Sequence, residues 1–297
     1  GSRVWLDGGM LRMRREGVGR GKRYSEGRGV VEAVLRLVYA GAWPARLWER
    51  FPGATEIRVV RRRVAVLPRR ARLRVAFASD LHLGPTTSAR TLDAAFRRLS
   101  EAEPDLLVLG GDYVFLEATE AVARELGARV REVPAKAKVA VMGNHDLWTH
   151  HGRLEAALER AGVQVLVNAS TRLGAPHEDV AVVGLDDPWT GEPDGEKAFA
   201  GTEGAGLVVA VCHSPGDYPH ARGRGAALFL CGHTHGGQVA LPGGRPVVLP
   251  GGSWARRWPH GVHEDEGTTV FVSRGVGGVE VPFRAWAPPD VGVFEVG

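Results

Sequence analysis

The sequence predicts an α/β layered fold in which strand–helix units give way to a second sheet of short strands. Three observations carry this. In the first half of the 297-residue chain, short apolar runs alternate with stretches of helical apolar spacing. In the second half, apolar runs follow one another with few helical patterns between them. Polar islands rich in Asp, His and Gly stand where the apolar runs end, at the carboxyl ends of strands, where sheets of this class place their ligand sites.

The elements follow in order. Residues 1–28 are rich in Gly and Arg without an apolar period and read as a disordered basic leader, or as sequence upstream of a start at Met10 or Met13. The run Gly17-Val18-Gly19-Arg20-Gly21 mimics a nucleotide-binding fingerprint, but no strand precedes it and no helix follows directly, so it carries no such role. Val30, Val34, Leu37 and Val38 recur at helical spacing, and Trp43, Leu47, Trp48 and Phe51 follow beyond a break at Pro44. Residues 29–57 are therefore expected as an amphipathic helical arm, fit either for a membrane interface or for packing on the body.

The body is expected over 58–297, beginning with a hairpin at 58–60 and 64–67. Strands are predicted at 73–78, 106–109, 139–142, 163–167 and 180–183, with helices at 91–100, 118–130 and 154–161 between them. Further strands are predicted at 207–211, 227–230, 239–241, 269–272 and 291–295.

Composition narrows the function classes. With 44% hydrophobic residues the chain can bury a sizeable core, and it holds no apolar run of 18 or more residues of the kind that spans a bilayer as a helix. Two cysteines, Cys212 and Cys231, are too few for a disulfide framework, which favours a reducing compartment such as the cytoplasm. Charge is uneven: residues 1–75 carry 19 Lys+Arg against 6 Asp+Glu, while the whole chain is only +4. A basic arm on a mildly acidic body suits an anionic surface, either lipid headgroups at the inner membrane or nucleic acid.

The islands read Ser79-Asp80-Leu81-His82, Gly110-Gly111-Asp112, Gly143-Asn144-His145-Asp146, Cys212-His213-Ser214 and Gly232-His233-Thr234-His235-Gly236. They offer Asp, Asn and His in the mixture that borderline divalent metals take, and in numbers large enough for two ions. Asp80 and His82 are two apart and can face one ion. Asp112 follows a Gly-Gly pair that permits close backbone approach and can bridge with its two oxygens. Asn144 offers a neutral carbonyl oxygen, and His213, His233 and His235 offer imidazole nitrogens. Two adjacent ions imply in-line displacement at phosphorus.

The order DxH, GGD, GNHD, H and GHTH resembles the calcineurin-like metallophosphoesterase superfamily over roughly residues 58–296. The details are most similar to a bacterial phosphodiesterase branch that includes UDP-2,3-diacylglucosamine pyrophosphatases, on the strength of Ser79-Asp80-Leu81-His82-Leu83-Gly84, the GHTHGGQV run at 232–239 and Ser273-Arg274-Gly275-Val276-Gly277. The resemblance implies a two-sheet β-sandwich flanked by helices, an α-β-β-α arrangement. It implies that Asp80, His82 and His235 bind one metal, that Asp112 bridges, and that Asn144, His213 and His233 bind the second. His145 would lie beside the site, donating to a phosphate oxygen or protonating the leaving group, with Asp146 orienting it, and the ligand set accommodates manganese, iron or zinc. One departure is visible: the family often shows GDxxD, and here Tyr113, Val114 and Phe115 follow Asp112.

Two ions about 3.5–4 Å apart would share a hydroxide and aim it at phosphorus, so the expected activity is hydrolysis of a phosphodiester or pyrophosphate, carried by a membrane-associated UDP-sugar lipid. Soluble nucleotides or nucleic acid are the alternative substrates, and a non-catalytic scaffold the alternative class. Arg274, after a strand and before glycines, is a candidate phosphate contact. Trp254, Arg256, Arg257 and Trp258 form an aromatic–cationic cluster suited either to stacking a ligand or to loop packing. His177 and His260 sit in polar stretches and are expected to face solvent, and the turn Asp186-Asp187-Pro188-Trp189 is expected to bound the pocket.

Overall fold

The computed structural model describes residues 26–51, 53–66, 72–250 and 252–297. Its strands are β1 (Arg58–Val64), β2 (Leu73–Ala78), β3 (Leu106–Leu109), β4 (Ala137–Ala140), β5 (Gln164–Val165), β6 (Ala169–Arg172), β7 (Val180–Gly184), β8 (Leu207–Val211), β9 (Leu228–Cys231), β10 (Gly261–Asp265), β11 (Thr268–Val272) and β12 (Asp290–Val296). They form two six-stranded sheets, ordered β1-β12-β2-β3-β4-β5 and β10-β11-β9-β8-β7-β6. In the first sheet β2 to β5 run parallel, β12 joins β2 antiparallel and β1 joins β12 in parallel. In the second β7, β8, β9 and β11 run parallel, with β6 and β10 antiparallel at the edges.

The strand sequences explain the layering. In β2, Val75 and Phe77 point into a core shared by the two sheets, while Ala76 and Ala78 point to the other face, where helices pack. Leu106 and Val108 of β3 likewise face the inter-sheet core, and Leu107 and Leu109 face the helices. Residues apolar on both faces are what a doubly covered parallel sheet requires. The cover on the first sheet is α3 (Ala89–Glu101), α4 (Glu120–Glu132) and α6 (His151–Arg160). The first two start on side-chain caps, Ser88 accepting from the Thr91 N–H and Thr119 from the Val122 N–H, each at 3.2 Å. The second sheet is covered by α7 (Gly195–Phe199), α8 (Tyr218–Ala221) and α9 (Ser253–Arg257) around Tyr218 and Trp258. The result is the expected α-β-β-α sandwich.

The arm is folded onto the body. α1 (Glu26–Val38) and α2 (Trp43–Trp48) are joined by a 3-10 turn at Ala40–Ala42. The break falls there rather than at Pro44, because Pro44 lies in the first turn of α2, where its missing N–H costs nothing. The expected leader boundary at 28 lies inside α1. Residues 1–25 of that leader lie outside the described residues.

Other expectations need correction. Residues 58–64 are one strand, β1, paired in parallel with the C-terminal β12, so no hairpin forms there. The strand expected at 239–241 reduces to isolated bridges from Val239 to Ala285 and from Ala240 to Pro246. His177 is buried beside Asp105 at 3.7 Å, not solvent-facing. Of the two readings of the Trp254–Trp258 cluster, packing is the one observed: the two rings lie 4.8 Å apart, tilted at 47°, each edge-on to Tyr218, with Arg257 over both.

Candidate metal centre

Three parallel strands of one sheet and two of the other bring the polar islands to one rim, because each island begins within three residues of the end of β2, β3, β4, β8 or β9. The backbone there is bent. Asp80, His82, Asp112, His233 and His235 all have φ between 45° and 70°, the left-handed region that non-glycine residues avoid. Five such residues at one place, at a cost of order 1–3 kcal/mol each, are held by the surrounding fold and mark a functional site. Gly143 and Gly232 permit the close approach that completes it. A Cβ on Gly143 would collide with the Asp112 carboxylate, and one on Gly232 with Ser79 and Asp80.

The side chains form two groups of convergent donors: Asp80, His82 and His235, and Asp112, His213 and His233. In the first, His235 Nε2 lies 3.2 Å from Asp80 Oδ1 and 3.1 Å from His82 Nε2. In the second, His213 Nε2 lies 3.2 Å from His233 Nδ1. Asp112 Oδ2 stands between them, 3.2 Å from His213 Nε2 and 3.7 Å from His82 Nε2. Its other oxygen accepts the His145 N–H at 2.8 Å. Asn144 opens α5 (Asn144–Leu147) directly after Gly143, so all seven expected donors meet at the rim.

Donor chemistry tests whether cations fit. His82 Nδ1 donates to Val114 O at 3.3 Å and His213 Nδ1 to Gly110 O at 2.8 Å, which turns each Nε2 lone pair into the site. Two pairs of imidazole nitrogens thus face each other across distances that only a shared proton or a cation can bridge. Asn144 Oδ1, an acceptor, is buried with no hydrogen-bond partner among the described residues. A buried orphan acceptor beside two buried carboxylates fits an electropositive ligand.

Electrostatics point the same way. Burial pushes the Asp112 carboxyl up, but His213 overrides it and holds it well below the carboxylate range. Burial opposes a charge on His213, yet Asp112 holds its imidazole well above the usual value. A proton on His213 therefore sits where a cation would take its place. Burial drives His82 down to about 4 and, with the charge of His213, His233 down to about 3, leaving them neutral as ligands must be. These donors fit two divalent ions, one of which Asp80, His82 and His235 would hold and the other Asp112, Asn144, His213 and His233.

The remaining expected residues surround this centre. His145 is half-buried at its edge, its ring 5.0 Å from those of His82 and Trp148 and 5.8 Å from that of Phe115. Asp146 is directed elsewhere than expected: its oxygens accept the backbone N–H groups of Tyr113 at 2.8 Å and Gly143 at 3.0 Å. It therefore ties the Asp112 loop to the Asn144 turn rather than gripping the His145 ring. Arg274 is held by Asp290, with Nη1 3.3 Å from Oδ2, and its side chain lies over Gly236 next to His235. The turn at 186–189 does bound the site, Trp189 lying 5.3 Å from the His233 ring.

Sequence reasoning missed Arg284. Its half-buried guanidinium lies against His235, with Nη2 3.0 Å from Nδ1 and Nη1 3.4 Å from the main-chain oxygen, and it donates to Gly277 O and Ala287 O. Burial lowers its pKa to about 10. No motif flags it, since it stands alone in an irregular stretch; only the fold brings it to the centre.

Two adjacent groups of metal-ligating side chains at the rim of an α-β-β-α sandwich define a metal-dependent phosphoesterase. Residues 73–237 match the calcineurin-like phosphoesterase family, and the chain belongs to it. It is 29% identical over 256 residues to the phosphodiesterase YaeI of Escherichia coli, spanning 82% of this chain and 89% of that one. It is 28% identical over 229 residues to the metallophosphoesterase YkuE of Bacillus subtilis, which is described as uncharacterized, spanning 73% and 76%. A transmembrane protein with a metallophosphoesterase domain from Bos taurus is 30% identical over 237 residues, spanning 74% of this chain and 52% of that protein. Among the described residues of this chain, no helix is long and apolar enough to cross a membrane.

Proposed function

We propose that this protein is a manganese-supported phosphodiesterase or pyrophosphatase acting on a membrane-associated phosphoester of the UDP-sugar lipid class. The observation that carries the phosphodiester chemistry is the position of Asp112 Oδ2 between two complete donor groups, with His145 alongside. The likeness to YaeI, a phosphodiesterase, supports the same reaction.

When bound, two divalent ions supply Lewis-acid stabilisation of charge at phosphorus and a water made nucleophilic near neutral pH. The chain's own residues do the rest. Asp80, Asp112 and the four ligand histidines create a buried pocket of donors whose geometry is set before substrate arrives, because the strained backbone and Asp146's ties hold it. His145 passes a proton from its imidazole N–H to the departing oxygen as the P–O bond breaks. Burial keeps its pKa well below the usual value, and a phosphate anion beside it raises it toward neutrality. Arg274 adds positive charge beside His235 for the substrate's phosphate.

The test is a screen of the purified full chain with manganese against UDP-diacylglucosamine, cyclic nucleotides, bis-p-nitrophenyl phosphate and single-stranded DNA. Turnover of the first and third substrates, abolished by chelation, is the expected result. Preference for DNA, with affinity falling steeply with salt, would make the basic arm a nucleic-acid contact instead. No turnover of any ester by metal-loaded protein would leave a scaffold.

A further inference from the structure

α1 is built inside out. Its charged stripe, Arg28, Glu32 and Arg36, packs against the body: Glu32 is 4% exposed and is salt-bridged to both arginines, and Arg36 donates to Leu116 O. Its apolar stripe faces outward, with Val30 64%, Val34 53% and Leu37 79% exposed. A surface helix of a water-surrounded protein shows the opposite arrangement.

The apolar surface continues beyond the helix. Trp48 of α2 packs on Phe283, 6.2 Å between rings, and Gln238 ties down the segment 279–283 through three carbonyls. Ala285 bridges to Val239, at the base of a hairpin-like loop closed by Ala240 and Pro246. From these loops project Val247 at 58%, Val248 at 71% and Trp286 at 63% exposure. Three segments distant in sequence thus present aliphatic and aromatic side chains along one linked surface.

We infer that this surface docks on an anionic lipid bilayer, with α1, α2 and the loops 239–250 and 279–287 entering the interface. Charge selects that occupant. Exposed Arg46, Arg50 and Arg245 flank the apolar residues, and no acidic residue occurs from 218 to 263. Residues 1–25, which lead into α1, add seven Lys+Arg against two acids. Cations beside apolar and Trp side chains are the composition of an interfacial segment. The surface also adjoins the metal centre: Arg28 lies over the Trp148 ring, which in turn contacts the His145 ring. Docking would hold the centre at headgroup depth, and the inference rests on the membrane-substrate reading above.

Flotation of the metal-loaded full chain with phosphatidylcholine vesicles, with and without phosphatidylglycerol, tests it. Wild type co-floats with the anionic vesicles, and the doubly substituted V34E/L37E and V247E/V248E chains each lose about tenfold in bound fraction. Both variants hydrolyse soluble bis-p-nitrophenyl phosphate like wild type, which excludes misfolding. Wild type left unbound, or variants that float equally well, would overturn the surface while soluble hydrolysis still upheld the phosphodiesterase. Flotation without any hydrolysis would do the reverse. A wild-type dimer that these substitutions dissociate would make a second copy the occupant and also overturn it.

Discussion

The Arg284 guanidinium meets the His235 imidazole at 3.0 Å, Nη2 to Nδ1, in a part-buried contact within the field of the Asp290 and Asp80 carboxylates. Its other donors go to main-chain oxygens of His235, Gly277 and Ala287. One side chain therefore fixes both the ring and the backbone of a residue in the first donor group, and ties them to the segment that follows Arg274. Groups that orient a metal ligand in this way matter nearly as much as the ligand.

Arg284→Gln is expected to weaken metal binding by about 10–100-fold, with the loss confined to the group of Asp80, His82 and His235. Titration with a competing chelator, reading two affinities, checks this. Wild-type affinity at both sites would show that the contact is only packing.

Asp112→Ala should remove the carboxylate shared by the two groups, and bound metal should fall from two ions toward none. Metal analysis of the freshly purified variant decides it, since retention of two ions would mean that Asp112 is not shared. The fold has reason to survive, because the loop remains tied by Asp146 to the Tyr113 N–H.

His145→Ala should keep both ions and lose turnover by about 10²–10⁴-fold on substrates with poor leaving groups. The loss should shrink for p-nitrophenyl esters, whose leaving oxygen needs no proton. A uniform loss across leaving groups would assign His145 to substrate binding rather than proton transfer.

How much of this was legible beforehand follows from what sets each feature. Strand β2 was readable because its Val75/Phe77 and Ala76/Ala78 alternation is local. The seven donors were readable because each closes an apolar run within a few residues of glycine. β1 was misread because its partner, β12, is more than two hundred residues away, and nothing local distinguishes an edge strand from half of a hairpin. Asp146 was given the wrong neighbour because adjacency to His145 in sequence says nothing of direction: within α5 the two side chains diverge, and the carboxylate turns inward to cap backbone. α1's periodicity was visible, but period alone does not say which stripe faces the body.

Asp217 lies under the second sheet's metal ligands and is 1% exposed. Burial and the charges of Asp187 and Asp186 raise its pKa from 3.8 to about 7, although it accepts a hydrogen bond from the Cys212 thiol at 3.1 Å. Because the folded value is the higher one, the folded state holds this proton longer than the unfolded chain. The stabilisation is therefore fully present below about 3.8 and is lost as pH rises through about 7. Asp217→Asn cannot ionise and should escape that loss. Between pH 5 and 8 wild type should lose stability relative to the variant by on the order of 2 kcal/mol, in denaturant titrations of metal-loaded protein. Taking the difference between the two proteins cancels the metal ligands, whose own protonation works in the opposite direction. A difference that stays constant with pH would show that Asp217 is already ionised in the folded state, its charge carried by Cys212 and the surrounding backbone.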